Sequence, residues 1–244
     1  MNTTNLLGLN SNERGVIKRL VDYVTNNPTH KTSDIWSCFS RPELSRKISD
    51  DLGNKHDITF SKIEKDSLAS AKVKLTKYLA KICLNRCSYC KRPMGNYGWS
   101  WHIEHIKCKQ HHRNATFLLE NFTLACVDCN YRKASGVDKP NRFSDIINPN
   151  SVGFHYKNHL EMNIHGNEVI LSLNFSKIDH LGSNTYDLLK LKNLEYSTTL
   201  RSINQSIDVL IGDIDRILIE EPKDENEERL MSLLNELKTN LIER

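Results

Sequence analysis

Residues 87–130 read CSYCKRPMGNYGWSWHIEHIKCKQHHRNATFLLENFTLACVDCN, and the two Cys-x-x-Cys pairs at its ends decide the fold. Cys87 and Cys90 form one pair, Cys126 and Cys129 the other. Thiolates at this spacing converge on one ion through a tight turn, and two such turns complete the tetrahedral shell of structural zinc. The 35 residues between the pairs exceed the interval of an ordinary zinc ribbon, so a sizeable element is inserted between the knuckles. A closed shell of four thiolates has no open position, and Zn²⁺ there is expected to hold the fold rather than perform chemistry. Four buried free thiols would make the paired spacing a coincidence, and neither pair lies in the context of a redox motif. Cys38, Cys83 and Cys108 are left over as ordinary thiols.

Within the insertion, Trp99 to Ile106 (WSWHIEHI) is bulky and β-compatible and reads as a strand after a turn at GNYG, residues 95–98. The next segment, KCKQHHRNATFLLEN, is polar and then apolar, which suits a loop with a short helical or extended return. A helix is expected to open at Asn130, just after the second pair, giving the order strand, loop, strand, helix.

In this frame Glu104, His105, Asn121 and Asn130 stand out. His105 precedes Asn121 by 16 residues, and Asn130 follows 9 later. Each has a plain explanation alone: Glu104 and His105 as a surface pair, Asn121 as a cap or turn residue, Asn130 as the end of a knuckle. Bracketed together by the cysteines, they favour a functional reading. His102, His111 and His112 are rivals; in a strand His102 shares a face with Glu104, which suits a neighbour of the site or a core or surface histidine.

The sequence CSYC, then HIEHI, then ENFTLACVDCN resembles the cysteine-flanked version of the HNH, or ββα-metal, nuclease family over roughly residues 83–139. The resemblance implies that His105 is the general base that deprotonates water, that Glu104 and the amide oxygen of Asn130 ligate a catalytic metal, and that Asn121 braces the loop. Asn130 stands where the family title has His, a common variant. Hard oxygen ligands suit Mg²⁺ or Mn²⁺. Lys107, Lys109, Arg113, Arg132 and Lys133 are the candidate phosphate contacts, and any one of them is equally explained as a solvated charge. A looser similarity extends to residues 80–196 through IINPNSVGFHYKNHLEMNIHGNEVIL and TYDLLKLKNLE, and concerns HNH proteins of Septu-type and retron-associated anti-phage defence. That family implies an ABC/SMC-like ATPase partner and, in retrons, a reverse transcriptase with its noncoding RNA-DNA.

Charge is unevenly spread. Residues 72–142 hold 14 Lys or Arg against 4 Asp or Glu, whereas residues 205–244 hold 5 against 11. The basic segment suits either a phosphate-rich partner or a solvated surface. No apolar window is long enough for a membrane span and MNTTNLLGLNSNERG lacks the features of a signal peptide, so a cytoplasmic place is expected.

The flanks read as helices. Val16, Leu20, Tyr23 and Val24 recur at helical spacing, as do Leu68, Ala71, Leu75, Leu79 and Ile82. The stretch between them, with Pro28, Pro42 and Gly53, suggests several short helices. A hairpin is expected around His165 to Asn167 and helices from Tyr186 onward, broken near Pro222. The stripe of Leu230, Leu233, Leu234, Leu237 and Leu241 usually means intramolecular packing and otherwise a partner-binding face. The expectation is a mainly helical α+β chain: a helical region at 1–71, the ββα-metal nuclease core with its zinc at 72–142, a mixed region at 143–204 and a helical region at 205–244. The functional expectation is a metal-dependent endonuclease acting on DNA, or on RNA such as tRNA. The alternative is a zinc-stabilised nucleic-acid-binding module without catalysis, which would need none of Glu104, His105 and Asn130.

Overall fold

The computed structural model describes residues 7–93, 101–136, 145–166, 171–195, 213–214, 217–218, 222 and 224–243, and it divides into two compact units, Met1–Phe154 and His155–Arg244. In the first unit Asn10 starts α1 (Ser11–Asn26) with a capping box: its side-chain oxygen accepts from the Glu13 N–H, and the Glu13 carboxylate accepts from its own. Helix α2 (Thr32–Ser40) follows, then strands β1 (Ser45–Ser49) and β2 (Lys55–Thr59), then α3 (Lys62–Ile82) behind a second capping box at Ser61 and Glu64. Val16, Leu20 and Val24 of α1 are buried with Leu68, Ala71, Leu75 and Leu79 of α3, as their spacing predicts. Glu13, itself buried, ties the two helices by accepting from Ser70 Oγ at 2.6 Å and Lys74 Nζ at 2.7 Å.

The expectation of several short helices before α3 needs correction. That stretch holds one helix, α2, and an antiparallel hairpin with Ser45 opposite Thr59 and Ser49 opposite Lys55. Only Ile48 and Ile58 point its strands inward among the apolar residues, too few to show as an alternating pattern. A turn at residues 50–54 joins the two strands. Asp50 accepts from the N–H groups of Leu52 and Asn54, and Gly53 takes φ 88°, where a Cβ would be strained.

The cysteine-flanked segment forms β3 (Trp101–His105) antiparallel to β4 (Phe122–Cys126), followed by α4 (Val127–Gly136). Strand, strand and helix come in the expected order, but the helix opens at Val127, inside the second cysteine pair rather than after it. The turn expected at 95–98 lies outside the described residues. Every residue of β4 is buried, and its Phe122 and Leu124 join the core of α1, α2 and α3. The hairpin therefore rests on the N-terminal helices.

In the second unit β5 (Leu160–Gly166) and β6 (Leu171–Lys177) form the expected hairpin, its turn lying outside the described residues. Helices α5 (His180–Leu188) and α6 (Lys192–Glu195) follow; the Glu195 carboxylate accepts from the Phe175 N–H at 2.8 Å and the Tyr186 hydroxyl at 2.7 Å. Helix α7 (Glu225–Glu243) corrects the packing expectation for its leucines: Leu230, Leu233 and Leu237 are 50%, 56% and 41% exposed. Leu241 lies outside the residues whose side chains are described. Among the described residues no helix is long and apolar enough to cross a membrane.

Candidate active site and metal centre

The four cysteines come together. Their Sγ atoms all lie within 4.8 Å of one another, every one is buried, and none is in a disulfide. A tetrahedral shell with Zn–S bonds of about 2.3 Å has S···S edges of about 3.8 Å, and Cys90 Sγ and Cys126 Sγ are 3.8 Å apart. The donor set thus fits a zinc ion. The first knuckle is closed by Lys91 in the left-handed region, φ 57°, with the Cys87 N–H donating to the Arg92 carbonyl. Knuckle and hairpin share a ladder, since the Ser88 N–H donates to the Leu124 carbonyl at 3.0 Å and the Cys126 N–H to Cys87 Sγ at 3.4 Å. Four sulfurs this close compete for charge. Hydrogen bonds from Cys129, Cys87 and Cys90 pull the Cys126 thiol well down, and hydrogen bonding to Cys126 pushes Cys90 and Cys129 up. A dication removes that conflict by letting all four ionise.

Pleating sends alternate residues of β3 to opposite faces. On one face His102 and Glu104 meet α4. His102 Nδ1 lies 2.6 Å from Asn130 Nδ2, and one helical turn further Lys133 Nζ pairs with Glu104 Oε1 at 2.9 Å. Lys133 is completely buried and also donates to the His105 carbonyl at 3.0 Å.

The ring of His105 turns to the other face. It packs edge-on against Trp36 of α2, with centroids 4.5 Å apart, and against Phe122 at 5.1 Å. Its Nε2 lies 3.0 Å from the carbonyl of Thr116. A carbonyl only accepts, so Nε2 holds the proton and Nδ1 the lone pair. The loop that supplies this carbonyl is closed by Asn121, whose Oδ1 accepts from the Lys107 N–H at 2.7 Å and whose Nδ2 donates to the carbonyls of Lys107 at 3.0 Å and Ala115 at 2.9 Å. The structure therefore groups Glu104 with Lys133, Asn130 with His102, and His105 with Trp36, Thr116 and the loop that Asn121 closes. His105 and Asn130 are not hydrogen-bonded to each other.

Burial, assisted by Lys109 and Lys133 and opposed by the Thr116 bond, pushes the His105 pKa down to about 3. The ring is neutral at physiological pH. Its folded pKa lies below the unfolded value of about 6.5, so the unfolded chain binds the extra proton between those two values. Stability is full above pH 6.5 and declines as pH falls toward 3, by on the order of a few kcal/mol. Burial lowers His30 and His112 in the same direction. Urea midpoints at pH 7.5 and 5.0 are expected to differ more in the wild type than in His105→Asn, and equal differences would contradict the buried neutral ring.

Two of the candidate phosphate contacts are corrected. Lys133 sits at 0% exposure, with its ammonium held by Glu104 and the His105 carbonyl, and it serves as a buried counter-ion. Arg113 donates to the carbonyls of His30 at 2.7 Å, Asn27 at 2.8 Å and Val24 at 3.3 Å, which caps the C-terminal end of α1. Lys107 is exposed, and Lys109 and Arg132 are half-buried. Lys133→Met would leave a buried carboxylate without its cation, a loss expected at about 3–5 kcal/mol, which Glu104→Gln in the same chain largely restores. Denaturant unfolding of the single and double variants measures it; a single variant within about 1 kcal/mol of wild type, well below that expected loss, would show that the pair is not the clamp.

Reasoning from sequence missed Trp36, in a segment that carried no sign of chemistry, and missed the Lys133 pairing. A hydrophobic residue on a helix and a lysine on a basic helix give no signal of either role. Residues 87–136 match the model of the HNH endonuclease family. The HNH domain spans both cysteine pairs, β3, β4 and α4, and it points to a nuclease, a hydrolase of phosphodiester bonds. No curated protein and no solved structure matches the chain.

Proposed function

We propose that this chain is a metal-dependent endonuclease of the ββα-metal type, with His105 as general base, Glu104 and Asn130 as ligands of a catalytic Mg²⁺ or Mn²⁺, and Asn121 as the brace of the base's loop. The observation that carries the reading is the fixed tautomer of His105. Pinning Nε2–H on the Thr116 carbonyl leaves Nδ1 as the proton acceptor, in a ring that stays neutral. A divalent cation at Glu104 and Asn130 would supply Lewis-acid stabilisation of the scissile phosphate and its leaving oxygen. Lys133 fixes one carboxylate oxygen of Glu104, and Asn121 fixes the ends of the loop. Lys107, Lys109 and Arg132 hold the backbone of the nucleic acid without reading its bases.

The substrate is DNA or RNA such as tRNA, since this chemistry attacks the phosphodiester and does not select the sugar. The likeness of residues 146–171 and 185–195 to defence nucleases supports a role as effector of a bacterial anti-phage system, with an ABC/SMC-like ATPase and a retron reverse transcriptase with its RNA-DNA as the partners that likeness brings. The exposed leucines of α7, set among acidic residues, support that helix as the docking face. A cytoplasmic place goes with this role.

One observation favours a second reading, a nucleic-acid-binding module without catalysis: His105 is only 5% exposed beneath Trp36. Incubating the chain with plasmid, single-stranded DNA and total RNA across Mg²⁺, Mn²⁺ and chelator separates the two. Cleavage that requires a divalent ion is expected, with and without the proposed partners compared. Binding without cleavage under every condition would favour the second reading.

A further inference from the structure

We propose that His102 is a third protein ligand of the divalent cation, so that the site is a mixed nitrogen and oxygen set rather than two oxygens alone. The inference rests on the nuclease reading above and adds a residue to its metal site.

The geometry lies in a two-by-two patch. His102 and Glu104, two residues apart on one face of β3, lie beneath Asn130 and Lys133, one turn apart on α4, and the structure pairs them across the gap in register. Three corners of the patch carry metal donors and the fourth an ammonium. His102 Nδ1 stands 2.6 Å from the Asn130 amide. A half-turn of that amide exchanges Nδ2 for Oδ1 at the same place, so the imidazole lone pair and the amide oxygen can face one point together. Neighbouring ligands of an octahedral ion with bonds of about 2.1 Å stand about 3.0 Å apart. Opening the pair by a few tenths of an ångström therefore fits an ion between them.

Glu104 completes the set. Lys133 holds its Oε1, and the carboxylate would be shared between that ammonium and the ion. His102 is exposed and Asn130 half-buried, so water and a phosphate can reach the remaining positions. An imidazole in the set shifts preference away from Mg²⁺, which favours oxygen, toward Mn²⁺ and later divalent ions. The four buried thiolates take zinc and leave this second site to a harder ion.

The test is Mn²⁺ bound to the zinc-loaded full chain, read by pulsed electron spin resonance for coupling to histidine nitrogen. Wild-type protein labelled with ¹⁵N-histidine is expected to show the imidazole signal. His105→Gln should keep it, and His102→Gln should lose it while raising the Mn²⁺ dissociation constant by about tenfold or more and the Mg²⁺ constant by less. Zinc content, unchanged in His102→Gln, reports that the variant is folded. Mn²⁺ bound without histidine coupling, or coupling that survives in His102→Gln, would overturn this assignment and leave the nuclease reading standing. A chain that binds no Mn²⁺ at all would remove both.

Discussion

His105→Ala is expected to lower the rate of phosphodiester cleavage by about 10²–10⁴-fold, the usual contribution of a positioned general base. The loss belongs to proton transfer, because the four cysteines whose geometry fits zinc form a cluster separate from the ring and its Thr116 partner. The substitution also removes packing against Trp36 and Phe122, which costs roughly 1–3 kcal/mol. Rates are therefore compared well below the melting temperature of the variant, with His105→Gln as a less disruptive partner. Equal turnover in wild type and both variants, with zinc content equal, would remove His105 from the chemistry.

Cys126→Ser is expected to act on the fold instead. Cys126 is the last residue of β4, the cross-strand partner of Trp101, and an acceptor for the Cys129 N–H at 3.4 Å. Structural zinc binding is worth about 10–16 kcal/mol in small domains, and a hydroxyl is a poor substitute for a thiolate. The variant is expected to lose most of its zinc and to become less soluble, because β3, β4 and α4 depend on the two knuckles for their arrangement. Zinc content by elemental analysis and amide exchange over residues 101–136 measure this. A variant that keeps full zinc and native protection would show that the cysteines do not organise the hairpin.

How much of this could be read from the chain depends on the kind of signal each feature leaves. The four-cysteine cluster was legible because metal geometry demands a spacing, and the spacing is written as Cys87, Cys90, Cys126 and Cys129. The helices α1 and α3 were legible because one face of each is buried and the period shows, and the strand from Trp101 to His105 because its residues are bulky and β-compatible. The hairpin of β1 and β2 was not, since Ile48 and Ile58 are the only apolar residues that its strands turn inward. Charge misled at Lys133 and Arg113. In sequence a lysine on a basic helix looks solvated, and only the fold reveals that Glu104 waits opposite it, buried with it. Arg113 likewise finds its carbonyls more than 80 residues away at the end of α1, a contact of tertiary structure that no local pattern encodes. The brace formed by Asn121 was placed by resemblance, and the structure gives the atoms of that closure: one amide holding both ends of the loop from Lys107 to Ala115.

The exposed leucines of α7 show the opposite case, where a pattern that usually means packing is left open to solvent. Periodicity says that a face is apolar and does not say what covers it.

Anomalous diffraction from crystals of the zinc-loaded protein soaked in Mn²⁺ addresses the active centre without depending on any substrate. Two separate peaks are expected, zinc among the four sulfurs and manganese beside Glu104 and Asn130. A map with density only at the cysteines, at manganese concentrations that support nuclease chemistry, would contradict the account.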